Sequence, residues 1–152
     1  MNTDKLNENQ SNEAPSPLLR VGAVMPSCLR LSLKTKWFEM TSPNGKTEDY
    51  RELTPYWYSM LCLYDGQKKS KKFWEFAPLN SFDFDTSKVS FKKFDVNVMT
   101  LGYPSNKEAE KIKKFVHAGI EVRTGRVDWG AAKGKLYFVI MHGAVMHGAV
   151  IA

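Results

Sequence analysis

The order of elements legible in this 152-residue chain predicts an α+β protein built on a mixed β-barrel. Three observations carry that prediction. Strand-like alternation of apolar and polar residues recurs along the chain, and helical spacing occurs only in short excursions between strands. No stretch has the strand–helix–strand rhythm of a parallel sheet. About 120 residues read as ordered, enough to bury a single core.

Residues 1–27 are rich in Asn, Glu, Ser and Pro, with Pro15, Pro17 and Pro26 and few large apolar side chains before Leu18. Such a segment buries too little apolar surface to offset its ordering entropy, so it reads as a disordered N-terminal tail. Cys28 to Leu33 alternates and is the first expected strand. A short helix through Trp37, Phe38 and Met40 follows, with Thr35 as its candidate N-cap. Ser42-Pro43-Asn44-Gly45 is a turn, and an extended segment follows over 46–52. Thr54-Pro55 pairs a capping residue with a proline at the first helical position. Trp57, Met60, Leu61 and Tyr64 then carry helical spacing to Leu63 or Tyr64.

From Asp65 to Ser90 no period is sustained, and the expectation is an excursion with one short helix. Phe94 to Leu101 reads as a strand, with Phe94, Val96, Val98 and Thr100 on one face. Ser105 and Glu108 form a capping box with Ala109, Ile112, Phe115 and Val116 at helical spacing, while Val116, Ala118, Ile120 and Val122 alternate as in a strand. The stretch therefore fits either a helix or a helical turn at 105–111 followed by a strand over about 113–124. Gly119 marks a bulge in that strand. Leu136 to Met141 closes the domain, which is set at residues 28–141. Residues 142–152 are a C-terminal tail in which Met141-His142-Gly143-Ala144-Val145 recurs as Met146-His147-Gly148-Ala149-Val150.

No apolar run approaches the roughly 20 residues of a membrane-spanning helix, and the first residues lack the basic start and apolar stretch of a signal peptide. Cys28 and Cys62 show no ligand spacing. They read as two buried free thiols, suited to a reducing cytoplasm. Of the net charge of +6, residues 1–27 hold −1 and the remaining 125 residues +7, a balance that fits a polyanionic partner. P-loop, His-x-x-x-His, Cys-x-x-Cys and Gly-x-Ser-x-Gly patterns are missing, and no metal or cofactor is expected.

The segment Gly45-Lys46-Thr47-Glu48-Asp49-Tyr50-Arg51-Glu52 stands out because neither face of the strand it forms is apolar. Alternation puts Lys46, Glu48 and Tyr50 on one face, and Thr47, Asp49 and Arg51 on the other. One reading is a solvated edge strand of mixed charge. The other is a site, since Lys, carboxylate and Arg side by side hold one another charged and can grip a phosphate or carboxylate. Downstream, Arg123-Thr124-Gly125-Arg126-Val127-Asp128-Trp129-Gly130-Ala131 combines an aromatic side chain with flanking arginines, the arrangement that stacks a base and meets its phosphate. Trp129 is equally suited to plug one end of a barrel. Lys68 to Lys72 with Trp74 reads as a phosphate-attracting loop or as a solvated charge run.

These motifs, with the following Gly134-Lys135-Leu136-Tyr137-Phe138-Val139-Ile140, resemble the ASCH domain family, a branch of the PUA-like β-barrels, in its small bacterial and phage form. The family signature is Gly-x-Lys-x-x-Glu-x-Arg. Lys46, Asp49 and Arg51 match its last three fixed positions, with Asp in place of Glu. Asn44 stands where the Gly belongs, and Gly45 has slipped by one. The resemblance covers residues 29–141. It implies a PUA-like mixed barrel with short helices packed at its ends, and a cleft lined by Lys46, Asp49 and Arg51 that takes RNA or a nucleoside.

The expectation is therefore a monomeric, cytoplasmic RNA- or nucleotide-binding module without a cofactor, its ligand met by Lys46, Asp49, Arg51, Arg123, Arg126 and Trp129. The alternative is a small amidohydrolase acting on a modified nucleoside, with Lys46, Thr47 and Asp49 as candidate catalytic residues. One ASCH subfamily hydrolyses an acetylated cytidine with a signature-strand Lys and a Thr three residues later. Here that Thr position is Asp49, and Thr47 lies one residue from Lys46 on the opposite strand face.

Overall fold

The computed structural model describes residues 25–80 and 82–147. The expected N-terminal tail, apart from residues 25–27, lies outside the described residues, as do residues 148–152 at the other end. Five strands form one sheet: β1 (Cys28–Leu33), β5 (Val96–Leu101), β6 (Ile112–Thr124), β7 (Leu136–Val145) and β2 (Glu48–Arg51), in that spatial order. β1 and β5 run parallel and every other pair is antiparallel. The sheet curls into a half-barrel, so the fold is α+β with a barrel-like sheet and a few short helices. A second sheet pairs β3 (Cys62–Tyr64) with β4 (Val89–Phe91).

Leu29, Leu31 and Leu33 of β1, Met99 of β5, Phe115 and Ile120 of β6, and Phe138 and Ile140 of β7 make the concave core. Three helices cover it: α1 (Thr35–Met40) through Phe38, α2 (Pro55–Leu61) through Leu61 and α3 (Lys71–Asn80) through Trp74. Trp74 stacks on Tyr58 at 5.2 Å, and Tyr58 meets the Phe138 ring edge-on at 4.9 Å. Phe73, Trp74, Phe84 and Val89 thus pack the excursion onto the core. Trp74 is only 4% exposed, which removes it from any surface loop that could attract phosphate.

Several boundaries differ from the sequence reading. Thr35 opens α1 as its first helical residue, and Lys34 holds the cap position without a side-chain bond. The carbonyls of Phe38 and Thr41 instead receive the Lys113 ammonium, at 2.7 and 3.0 Å, a favourable charge for a helix C-terminus. Thr54 does cap α2, its hydroxyl accepting from Trp57 N at 3.3 Å. That helix stops at Leu61 because residues 62–64 find a strand partner in residues 89–91, and tertiary pairing outweighs local spacing.

The Ser105–Glu108 box forms in part, with Ser105 N donating to the Glu108 carboxylate at 2.9 Å ahead of a single 3₁₀ turn, Ala109–Lys111. The bulge expected at Gly119 is present, with φ +124° and register shifts on the preceding residues of β6. β7 continues four residues past the expected end at Met141. Its backbone stays paired with β6 as far as Phe115 opposite Val145, so the first copy of the duplicated segment belongs to the fold and not to a tail. Of the two cysteines, both free, Cys62 is buried as expected but Cys28 is exposed, because it lies on the face of β1 opposite Leu29 and Leu31. Among the described residues no helix is long and apolar enough to cross a membrane.

Candidate functional site

β2 is an edge strand of the sheet and joins its two surfaces. Its register sets Asp49 against Ile140 and Arg51 against Phe138, both core positions, so Asp49 and Arg51 face the barrel interior. Tyr50 turns the other way and packs on a small second cluster of Ala131, Tyr137 and Val139. Lys46 escapes the expected alternation because the ladder begins only at Glu48. It lies in an isolated bridge with Thr41, and its ammonium reaches back under the strand.

The three signature residues do come together. The Lys46 ammonium lies 3.7 Å from Asp49 Oδ1 and donates to the Glu48 carbonyl at 2.5 Å. Arg51 Nε donates to Asp49 Oδ2 at 2.6 Å. Lys46 and Asp49 are interior residues, 2% and 3% exposed, and only Arg51 reaches the surface, with 18% of its side chain exposed. Burial pulls the Lys46 ammonium below its ordinary pKa against the opposing pull of Asp49. Arg51 has a further role. Its Nη2 donates to the Ser32 carbonyl of β1 at 3.0 Å, bridging the two edge strands of the sheet, and its guanidinium lies 5.0 Å from the Trp57 ring centroid.

The outer face of β2 carries a second network. Arg123 forms an ion pair with Glu48, and Tyr50 donates to the same carboxylate at 2.7 Å. Tyr50 Oη in turn accepts from the backbone N–H of Arg126 at 2.9 Å, which ties the loop after β6 to the strand. Gly125 permits that approach, since a Cβ there would come 2.6 Å from the Tyr50 ring. Burial alone would raise the Glu48 carboxyl, but the bonds from Arg123 and Tyr50 win and hold it below the usual range. Burial pushes the Tyr50 phenol up to about 12. Arg126 pairs bidentately with Asp128, at 3.0 and 2.7 Å, and its guanidinium lies 4.1 Å from the Trp129 ring centroid. Trp129 is half-buried and belongs to neither core cluster.

All six expected ligand residues therefore gather about one strand, on its two faces, joined by Glu48 and Tyr50, which the sequence reading did not assign. It also left unassigned a third polar group. Asn97, fully buried, donates to the Met141 carbonyl at 3.0 Å and meets His142 Nδ1 at 2.8 Å and His117 Nδ1 at 2.7 Å. The His142 ring stacks on Phe115, and its backbone N–H donates to the Thr47 carbonyl. Burial lowers the His142 imidazole to about 4, and the charges of Asp49 and Lys46 pull on it in opposite directions.

The unfolded imidazole binds its proton near 6.5, so stability supplied by the neutral ring is present above that pH and lost as pH falls toward 4. The interval corresponds to roughly 3 kcal/mol. Urea unfolding midpoints should fall between pH 6.5 and 4, and His142→Asn should flatten that slope. An imidazole resonance of His142 titrating near 6.5 would contradict the assignment.

A cavity of about 890 Å³, lined among others by Arg30, Val98, Ile112, Lys113 and Lys114, contains none of the six expected site residues. Among the described residues no group of three or more His, Cys, Asp or Glu could hold a metal ion. The architecture defines an α+β protein with a charged, aromatic-lined edge strand on a curled sheet. No protein-family model, curated protein or solved structure matches the chain.

Proposed function

We propose that this chain is an RNA- or nucleotide-binding module of the ASCH/PUA-like class, with its ligand held along the edge strand β2. The observation that carries this reading is the pair of arginine–tryptophan stacks flanking the strand, Arg51 on Trp57 and Arg126 on Trp129. A guanidinium lying on an indole offers a phosphate and a base their two natural partners at one place. Arg51, Arg123, Arg126 and Trp129 are the contact residues, and the buried Lys46–Asp49 pair holds Arg51 in place. The excess of +7 on residues 28–152 supplies the attraction for a polyanion.

Anisotropy titrations with a short single-stranded RNA test the reading. Affinity should fall steeply between about 50 and 200 mM salt, at roughly 0.7 log units of affinity per log unit of salt for each phosphate contact. Trp129→Ala should weaken binding about tenfold or more, as the loss of one stacked base does. Its melting temperature should stay near that of the parent. Salt-independent binding, or parental affinity in both Trp129→Ala and Arg126→Ala, would remove the proposal. A second reading, the small amidohydrolase, draws on the lowered proton affinity of Lys46, a property of catalytic lysines. Turnover of an acylated nucleoside, lost in Lys46→Arg, would establish it.

A further inference from the structure

Between the link from β4 to β5 and the bulge of β6, His117 lines a pocket of about 470 Å³ with Phe91, Lys92, Lys93, Phe94 and Ile120. The chemistry of this imidazole is set by its neighbours. The Met141 carbonyl can only accept, so the Asn97 amide must present its NH₂ to Met141 and to His142 Nδ1. The Asn97 carbonyl oxygen is left facing His117 at 2.7 Å, and His117 Nδ1 must carry the proton and donate to it. His117 Nε2 is therefore a hydrogen-bond acceptor, its tautomer fixed by a fully buried side chain.

The backbone directs the ring as well. β6 loses register with β7 on both sides of His117, and Gly119 at φ +124° supports the second shift. Bulges of this kind re-aim side chains beside binding sites. Around the ring the pocket is apolar and cationic. Phe94 meets the imidazole edge-on, with ring centroids 5.5 Å apart. Lys93 is exposed at the rim, and Lys92 donates to the Ser59 carbonyl at 2.9 Å. Asp95, the one acid lining the pocket, already accepts from Ser27 N at 2.9 Å. Burial lowers the His117 imidazole, against the opposing pull of Asp95, which keeps Nε2 open as an acceptor.

We propose that this pocket is a binding site for a mononucleotide, whose base gives an N–H to His117 Nε2 and lies against Phe91 and Phe94 while its phosphate meets Lys93. An acceptor of fixed tautomer calls for a ligand N–H or O–H, the phenylalanines for a flat ring, and the lysine for an anion. The volume lies within the range of small-ligand pockets. The site shares no residue with the β2 rim, so it stands or falls separately from RNA binding there.

The test is imidazole ¹⁵N spectroscopy on the full chain, titrated in separate arms with adenosine monophosphate, adenosine and inorganic phosphate. In the free protein the His117 signals should show Nδ1 protonated and Nε2 bare. Adenosine monophosphate should move the Nε2 signal saturably, with at least tenfold higher affinity than adenosine or phosphate. Lys93→Ala, at an exposed position, should weaken that response fivefold or more at an unchanged melting temperature. An Nε2–H tautomer would overturn the proposal, as would a silent His117 at about 1 mM nucleotide, an equal response to phosphate alone, or a Lys93→Ala chain that binds like the parent.

Discussion

Replacing Phe138 with alanine should destabilise the protein by about 3–5 kcal/mol, a large share of the roughly 5–15 kcal/mol that holds a domain folded. Phe138 is completely buried at the centre of β7, opposite Arg51 of β2 and Val122 of β6. Its ring takes the edge contact of Tyr58 at 4.9 Å and lies 6.1 Å from Phe91, so it joins the sheet to α2 and to the β3–β4 ribbon. Deletion would leave a cavity walled by aromatic rings that cannot collapse without unstacking Tyr58 from Trp74. For a chain of this length the loss corresponds to a melting temperature lower by roughly 6–20 °C. A urea midpoint shift at constant slope would confirm it. A loss below about 1 kcal/mol would mean that β7 is paired in another register, since a one-residue slip turns every side chain to the opposite face.

The elements most legible in the sequence are those whose signals are local. Thr54-Pro55 fixes the start of α2 through a cap and a preset φ, and Gly119 marks its bulge by supplying a conformation that other residues resist. What stayed illegible depends on partners distant in sequence. Cys62–Tyr64 is a strand only because Val89–Phe91 lies beside it. The alternation in β5 suggests one wet face, yet residues 96–100 are all buried, so Asn97 reads as a surface amide while it is the hub between two histidines. The same limit applies to the site. The charge pattern of 46–51 announces an unusual strand, but only the fold shows that Lys46 turns inward and that Glu48 and Tyr50 tie the strand to Arg123 and Arg126.

Lys46→Ala should cost about 3–5 kcal/mol, because it leaves the Asp49 carboxylate interior with one of its two cations gone. The Glu48 carbonyl also loses its donor. Lys46→Met, which retains the aliphatic stem, should lose most of the same amount if charge compensation dominates and much less if packing does. Pairing it with Asp49→Leu separates the two effects. Removing both charges together should recover part of the single-variant loss, since an apolar pair of similar volume is often no worse than a buried ion pair. The measurement is a set of five urea midpoints at pH 7, for the parent, Lys46→Ala, Lys46→Met, Asp49→Leu and the Lys46→Met, Asp49→Leu chain. A loss below about 1 kcal/mol in Lys46→Ala would place the ammonium at the surface, where ion pairs contribute little. The expected size of this effect also decides how binding data on the strand must be read. Failure of Lys46→Ala to bind RNA would follow from loss of the fold alone, whereas Arg126 and Trp129 lie outside both core clusters and can be altered in a folded chain. A ligand lost with Trp129→Ala but kept by a folded Lys46→Met, Asp49→Leu chain would assign binding to the rim and scaffolding to the interior pair. The reverse result would return the buried pair to the ligand.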